Sequence, residues 1–172
     1  IPRGFWHVID LLKSNGIDCQ TIQKDTLIEV ESYRIVDYKT PTSAYEGHYN
    51  HRNTVVKTTT KKLAFAKGDY IIPTQQKGIK YILETLEPEA IDSFFNWNFF
   101  DAILQQKEGY SDYVFEDTAA QILNDNPKLK SELEAKKQTE HDFLNNPKAQ
   151  LDWIYKQSAY YEKAHLQYPV YR

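Results

Sequence analysis

Near the start of the chain, Phe5, Val8, Ile9 and Leu12 stand at i, i+3, i+4 and i+7, the spacing that gathers side chains on one face of a helix. Asn15-Gly16 predicts where that helix stops, because glycine readily takes the left-handed backbone that closes a helix. The period then shortens. Ile17 to Ile22 and Leu27 to Val36 predict strands, the second reading LIEVESYRIV with Ile28, Val30, Tyr33 and Ile35 in loose alternation. Pro41 to Asn53 is polar and turn-rich and predicts a loop. VVKTTTKKLAF then restores β-branched residues and predicts another strand, with the basic run Lys57 to Lys62 on its wet side. Lys67-Gly68-Asp69 predicts a turn into a strand over Tyr70 to Ile72, ended by Pro73.

Beyond Pro73 the helical period returns. Ile79, Ile82, Leu83 and Leu86 mark one helix, and Pro88 closes it by restricting the residue before it. Asn126-Pro127 and Asn146-Pro147 each offer a capping side chain followed by proline at the first helical position. The first leads into KLKSELEAKK, where Glu132 and Lys136 are spaced for an i,i+4 pair; the second leads into a short stripe of Leu151, Ile154 and Tyr155. Strands come early and helices late, which predicts an α+β fold with an N-terminal helix, C-terminal helices and a central, mostly antiparallel sheet of about four to six strands. No internal repeat, low-complexity tract or linker divides the chain. Residues 1–172 are therefore expected to form a single domain, strand-rich over 17–73 and helix-rich over 77–165.

Composition narrows the function classes. With 41% apolar and 26% charged residues, the 172-residue chain reads as an ordinary globular protein. Its aromatic share is 14%, dominated by 13 tyrosines. Such rings serve either as half-buried strand residues or as rigid, amphipathic contact area for sugars, peptides or another domain. A net charge of −3 supplies no basic footprint for nucleic acid or an anionic membrane. The single cysteine, Cys19, excludes an internal disulfide or a thiolate metal cluster. No run approaches the roughly 18 apolar residues of a membrane span, and no signal peptide is present. Because the sequence lacks methionine and opens on Ile1-Pro2-Arg3, it is expected to be a fragment of a longer polypeptide.

The densest chemistry lies in LEPEAIDSFFNWNFFD, residues 86–101, where Glu87, Glu89, Asp92 and Asp101 bracket Phe94, Phe95, Trp97, Phe99 and Phe100. The stretch suits three roles: core with an acidic rim, a ligand or interdomain surface, or a catalytic cleft. As core, it places Phe95, Phe99 and Phe100 inside, leaves Trp97 partly exposed, uses Asp92 and Ser93 as caps, and sets Glu87 and Glu89 at the rim of a groove. Glycosidase chemistry needs two carboxyls facing across a cleft, which acids of one short segment rarely do. His7 and Asp10 share a helical face, and EGHYNH brings Glu46 and His48 near His51. Neither HExxH nor HxxE occurs, so no zinc ligand set is assigned. No G-x-S-x-G elbow, electropositive setting for Cys19 or glycine-rich phosphate loop is present. Catalytic and metal residues are accordingly expected to be none.

Four stretches, IPRGFWHVIDLLKSNGI, GDYIIPTQQ, LEPEAIDSFFNWNFFD and the terminal YPVYR, carry a resemblance that spans nearly the whole chain. In their order and wording they resemble the C-terminal region of bacterial M14-family zinc carboxypeptidase-like proteins, especially the large exported ones of Bacteroidetes-type bacteria. The resemblance implies a catalytic zinc domain preceding this region in the same chain, with its HxxE and distant histidine there. No position here matches those ligands, so zinc belongs to the parent and no cofactor to this fragment. The resemblance also implies a periplasmic or extracellular location. Gln75, before Gln76, occupies a position where relatives commonly carry an acidic or amide residue.

Three functions follow as expectations. The preferred one is a non-catalytic accessory domain that packs on, positions or stabilises the preceding peptidase domain. The second is a binding module whose aromatic groove takes a peptide or glycan. The third is an independent hydrolase using Glu46, His48 and the acids near Trp97. The candidate ligand or interdomain surface comprises Glu46, His48, Gln75, Gln76, Glu87, Glu89 and Trp97. At the end of the chain, Tyr168 and Val170 are expected to be buried, because apolar termini dock where polar ones fray.

Overall fold

A computed structural model describes residues 1–106 and 109–172; the helix-rich stretch expected over 77–165 includes residues 107–108, which lie outside the described residues. The fold is α+β, with 39% of the described residues helical and, among them, five antiparallel strands in two sheets. The chain divides into two compact units, Ile1–Gln105 with Ala164–Arg172, and Gln106–Lys163.

The first unit is built on a hairpin. Strands β2 (Thr26–Lys39) and β3 (Arg52–Phe65) pair from Thr26↔Phe65 to Lys39↔Arg52, with irregularities near Asp37. Strand β5 (Gln167–Tyr171) adds antiparallel to the other edge of β2, giving the order β3-β2-β5. A second small sheet joins β1 (Gln20–Thr21) to β4 (Tyr70–Ile71). Helix α1 (Trp6–Ser14) buries Val8, Ile9 and Leu12, and α2 (Ile79–Leu86) buries Ile82 and Leu86. They share one core with Tyr33 and Ile35 of β2, with Phe94, Phe95 and Phe100, and with Tyr168. Tyr168 is fully buried and its hydroxyl donates to the Leu86 carbonyl at 2.8 Å, so the last strand is stitched to α2. Val170 is only half-buried against the same core.

Two expectations change. The strand expected over Ile17 to Ile22 contracts to Gln20–Thr21, because neighbouring groups satisfy the backbone before it. Ile17 N–H donates to Leu12 at 3.0 Å, and Asp18 N–H donates to the Gln76 side chain at 2.7 Å. Ile17 itself plugs the core, so close to Gly78 that a Cβ there would lie 2.0 Å from its Cδ1. Any larger residue at position 78 would push the Ile17 side chain aside. The expected Glu132–Lys136 pair is also replaced: Glu132 meets Lys128 at 3.8 Å, and Lys136 turns to Glu140. Both are exposed pairs, so little stability separates the alternatives.

The second unit contains α3 (Asp112–Asp125), α4 (Pro127–Thr139), α5 (His141–Leu144) and α6 (Pro147–Gln157). Asn126 and Asn146 cap α4 and α6 by accepting from Leu129 N–H at 3.1 Å and Ala149 N–H at 3.0 Å. Phe115, Ala119, Leu133, Phe143, Ile154 and Tyr155 form its own core. No described helix is long and apolar enough to cross a membrane.

Candidate functional site

The segment after α2 folds around a buried asparagine. Asn96 donates from its side chain to Ala90 and Ile91 carbonyls at 2.8 and 3.1 Å, while its Oδ1 accepts from Thr54 Oγ1 at 2.8 Å. Its carbonyl accepts from His51 N–H at 2.8 Å, and its own N–H donates to Ser93 Oγ at 3.1 Å. A buried polar side chain is tolerated when its groups are paired in this way. Ser93 thus caps the turn, as expected. Asp92 instead accepts from the Trp97 indole at 3.5 Å. With this hub fixed, Phe94, Phe95 and Phe100 point into the core, and Trp97 is left half-exposed.

Opposite Trp97 stands a tight two-residue hairpin. Tyr45 and His48 exchange backbone hydrogen bonds at 2.8 and 2.9 Å, and both central residues, Glu46 and Gly47, have positive φ (48° and 82°). That is the backbone of the turn type that favours glycine in hairpins. The His48 ring meets Trp97 edge to face at 5.4 Å. Tyr45 and Trp97, with Arg52, Glu89, Asp92 and Asn96, line an open hollow of about 500 Å³.

His51 forms one wall of the hollow and is 4% exposed. Its Nε2 lies 2.9 Å from Asp101 Oδ1, and its Nδ1 lies 2.9 Å from Thr40 Oγ1. A carboxylate only accepts, so Nε2–H donates to Asp101 and, in the neutral ring, Nδ1 accepts from Thr40. Asn98 holds Asp101 from the other oxygen, donating to Oδ2 at 3.2 Å and to the Tyr49 carbonyl at 3.0 Å. The Tyr49 carbonyl and Asp101 Oδ2 are two acceptors suited to the Asn98 NH2 group, which also lies 3.3 Å from His51 Nε2. Asn98 Oδ1 is buried without a hydrogen-bond partner among the described residues. Phe95 and Tyr38 close the His51 ring at 4.9 and 4.8 Å.

A hydroxyl, an imidazole and a carboxylate in series have the order of a nucleophilic triad. Thr40 and Asp101 flank the ring, and neither lines the hollow, so the series does not open onto it. The series ties the β2 end to the segment at Asp101. The hollow itself presents aromatic faces with amide, carboxylate and guanidinium groups around them.

The residues singled out in the sequence separate into three places. His48, Glu89 and Trp97 come together at the hollow, with Glu46 on the exposed hairpin turn beside it. Glu89 Oε1 also accepts from Val56 N–H at 3.3 Å. Gln76 is a tie: it accepts from Asp18 N–H and donates to the Pro73 and Asp18 carbonyls at 2.5 and 3.2 Å. Gln75 is exposed beside it. Glu87 faces elsewhere, toward Arg172 Nη1 at 3.4 Å. His7 contacts the Phe99 carbonyl at 3.2 Å. Sequence reasoning did not single out Tyr45, Arg52 or Asn96; asparagines flanking aromatic residues in YNHRN and NWN were the available signal. No family model, curated protein or solved structure matches the chain.

Proposed function

We propose that this chain is a non-catalytic accessory region of an M14-family zinc carboxypeptidase-like protein, and that the Trp97 hollow is its recognition surface for a peptide or glycan. The parent class, with its preceding peptidase domain, its zinc and its periplasmic or extracellular location, rests on the resemblance of the four sequence stretches. The recognition role rests on one observation: two separately anchored aromatic side chains, Tyr45 and Trp97, share a hollow with Arg52, Glu89, Asp92 and Asn96. Aromatic faces take the apolar side of a sugar ring or side chain, and the polar groups fix its orientation. His51, held on both nitrogens, acts as a wall.

Calorimetric titration with a disaccharide-tetrapeptide fragment of peptidoglycan tests the recognition role, because the probe carries both sugar and peptide. Saturable binding that Trp97→Ala weakens about tenfold or more supports it, a loss on the scale of one stacked aromatic contact. No heat at millimolar probe contradicts it. The parent class is tested by the coding sequence upstream of Ile1, where an HxxE and a later histidine support it and their absence opposes it.

A further inference from the structure

Two buried apolar clusters of the first unit fail to merge. One is Ile22, Val30 and Phe65; the other is the main core, ending at Tyr33, Ile82 and Leu86. Between them runs a groove of about 280 Å³, lined by these side chains and by Tyr70, Ile72, Val170 and Tyr171. Protein interiors are close-packed, with few voids larger than a water molecule. An apolar space of this size offers water few partners and gains from an apolar occupant. Its lip is formed by Ile71 and Leu83, 47% and 45% exposed although both are large and aliphatic.

Besides the hydroxyls of Tyr33, Tyr70 and Tyr171, the polar lining consists of Thr74, Glu87 and Arg172, with the Ile1 amine at the Tyr70 end already donating to the Tyr70 carbonyl at 2.9 Å. Arg172 is already shared by two carboxylates, Glu31 at 3.1 Å and Glu87 at 3.4 Å. These three groups therefore leave one uncompensated negative charge at the mouth. Two tyrosines that line the groove are raised above the ordinary tyrosine range, chiefly by burial. Tyr33 is pushed up by burial first and then by Glu87, and Tyr171 by burial and then by Asp69. A ligand carboxylate would meet Glu31 and Glu87 around the only guanidinium there. An ammonium meets complementary charge.

We propose that this groove binds an aliphatic or aromatic group carrying a primary ammonium, with the apolar part between the two clusters and the ammonium at Glu87. The N-terminal residue of a peptide and a free alkylamine share this chemistry. The site is independent of the Trp97 hollow: Glu87 and Glu89 flank Pro88 yet serve different cavities.

The test is titration of the isotope-labelled chain with leucyl-leucine amide, its N-acetyl form and isoamylamine, read by methyl NMR at Ile22, Val30 and Ile82. Binding of the free-amine dipeptide about tenfold tighter than the acetylated one is expected, as for a charge-assisted hydrogen bond. Glu87→Gln removes that preference, and Leu83→Arg, at an exposed position, weakens binding without unfolding the chain. Isoamylamine binding as tightly as the dipeptide supports the groove and assigns it to amines in general; weaker binding supports it and assigns it to peptide N-termini. Equal affinity for the acetylated dipeptide, no methyl shift at millimolar ligand, or unchanged binding in Leu83→Arg overturns the proposal.

Discussion

His51 Nε2 and Asp101 Oδ1 lie 2.9 Å apart, joining the start of β3 to the short helical turn Asp101–Leu104. The pair tethers these two segments to one another. His51 is buried between Phe95 and Tyr38, and its second nitrogen meets Thr40. Removing one partner leaves the other's polar group unpaired, at roughly 1–3 kcal/mol. Asp101→Ala is therefore expected to lower unfolding free energy by about that amount, and Asp101→Asn by less, since an amide oxygen still accepts. Urea denaturation checks the order. Wild-type stability in Asp101→Ala contradicts the tether.

Asn96 carries more of the site than its place in the sequence suggests. It makes five hydrogen bonds with Ala90, Ile91, Thr54, His51 and Ser93. Asn96→Ala removes the three made by its side chain and leaves buried carbonyls and the Thr54 hydroxyl without them. The expected loss is about 2–4 kcal/mol, because groups of one network fail together. Trp97 emission should shift to longer wavelength in the folded variant as the loop loosens. An unchanged spectrum and unfolding midpoint would argue that the loop is held elsewhere.

The terminal strand closes the core. Deleting Tyr168–Arg172 removes the fully buried Tyr168 ring, its bond to Leu86 and the Ser32↔Tyr171 pairing of β5 with β2. Burial of one such side chain is worth roughly 1.5–3 kcal/mol, against a typical net stability of ~5–15 kcal/mol. The truncated chain is expected to melt well below the intact one. A midpoint within a degree or two refutes this.

Tyr168 also sets an alkaline limit. Burial, then Glu87 and Tyr33, hold its hydroxyl well above the ordinary tyrosine range. Its stabilising contribution is complete below the unfolded pKa of about 10. Above that pH the unfolded chain releases the proton and the folded chain keeps it, so stability falls until the folded pKa is passed. The slope is about 1.4 kcal/mol per pH unit for one such group. Tyr168→Phe is expected to be less stable at pH 8 but to lose stability less steeply between pH 10 and 11. Parallel pH profiles for the two chains would contradict the assignment.

What was legible in the sequence was local. The i, i+3, i+4, i+7 face at Phe5 to Leu12, the closing Asn15-Gly16, and the Asn126 and Asn146 caps follow from spacing and backbone chemistry a few residues wide. The two long strands and the polar loop between them followed from composition, but their pairing as one hairpin was seen only in the fold. The groupings at the sites were not legible. Glu87, Glu89, Asp92 and Asp101 belong to one acidic stretch, yet they turn to Arg172, Val56, Trp97 and His51 respectively. Their divergence is decided by the Asn96 hub, the positive φ of 67° at Asn98 and the buried phenylalanines. No pairwise spacing encodes that. Gln76 shows the same limit from the other side. Its amide fastens the Asp18 backbone on both sides, where the sequence predicts a strand.

The central claim is that the Trp97 hollow recognises a ligand, and mapping by heteronuclear NMR with the peptidoglycan disaccharide-tetrapeptide tests it most directly. The predicted result is saturable shifts confined to the Trp97 indole N–H and the backbone amides of Tyr45, Arg52 and Asn96, with the Gln76 side-chain amide unmoved. Shifts that gather at Gln76, or no shift at the Trp97 indole at saturating probe, would contradict it.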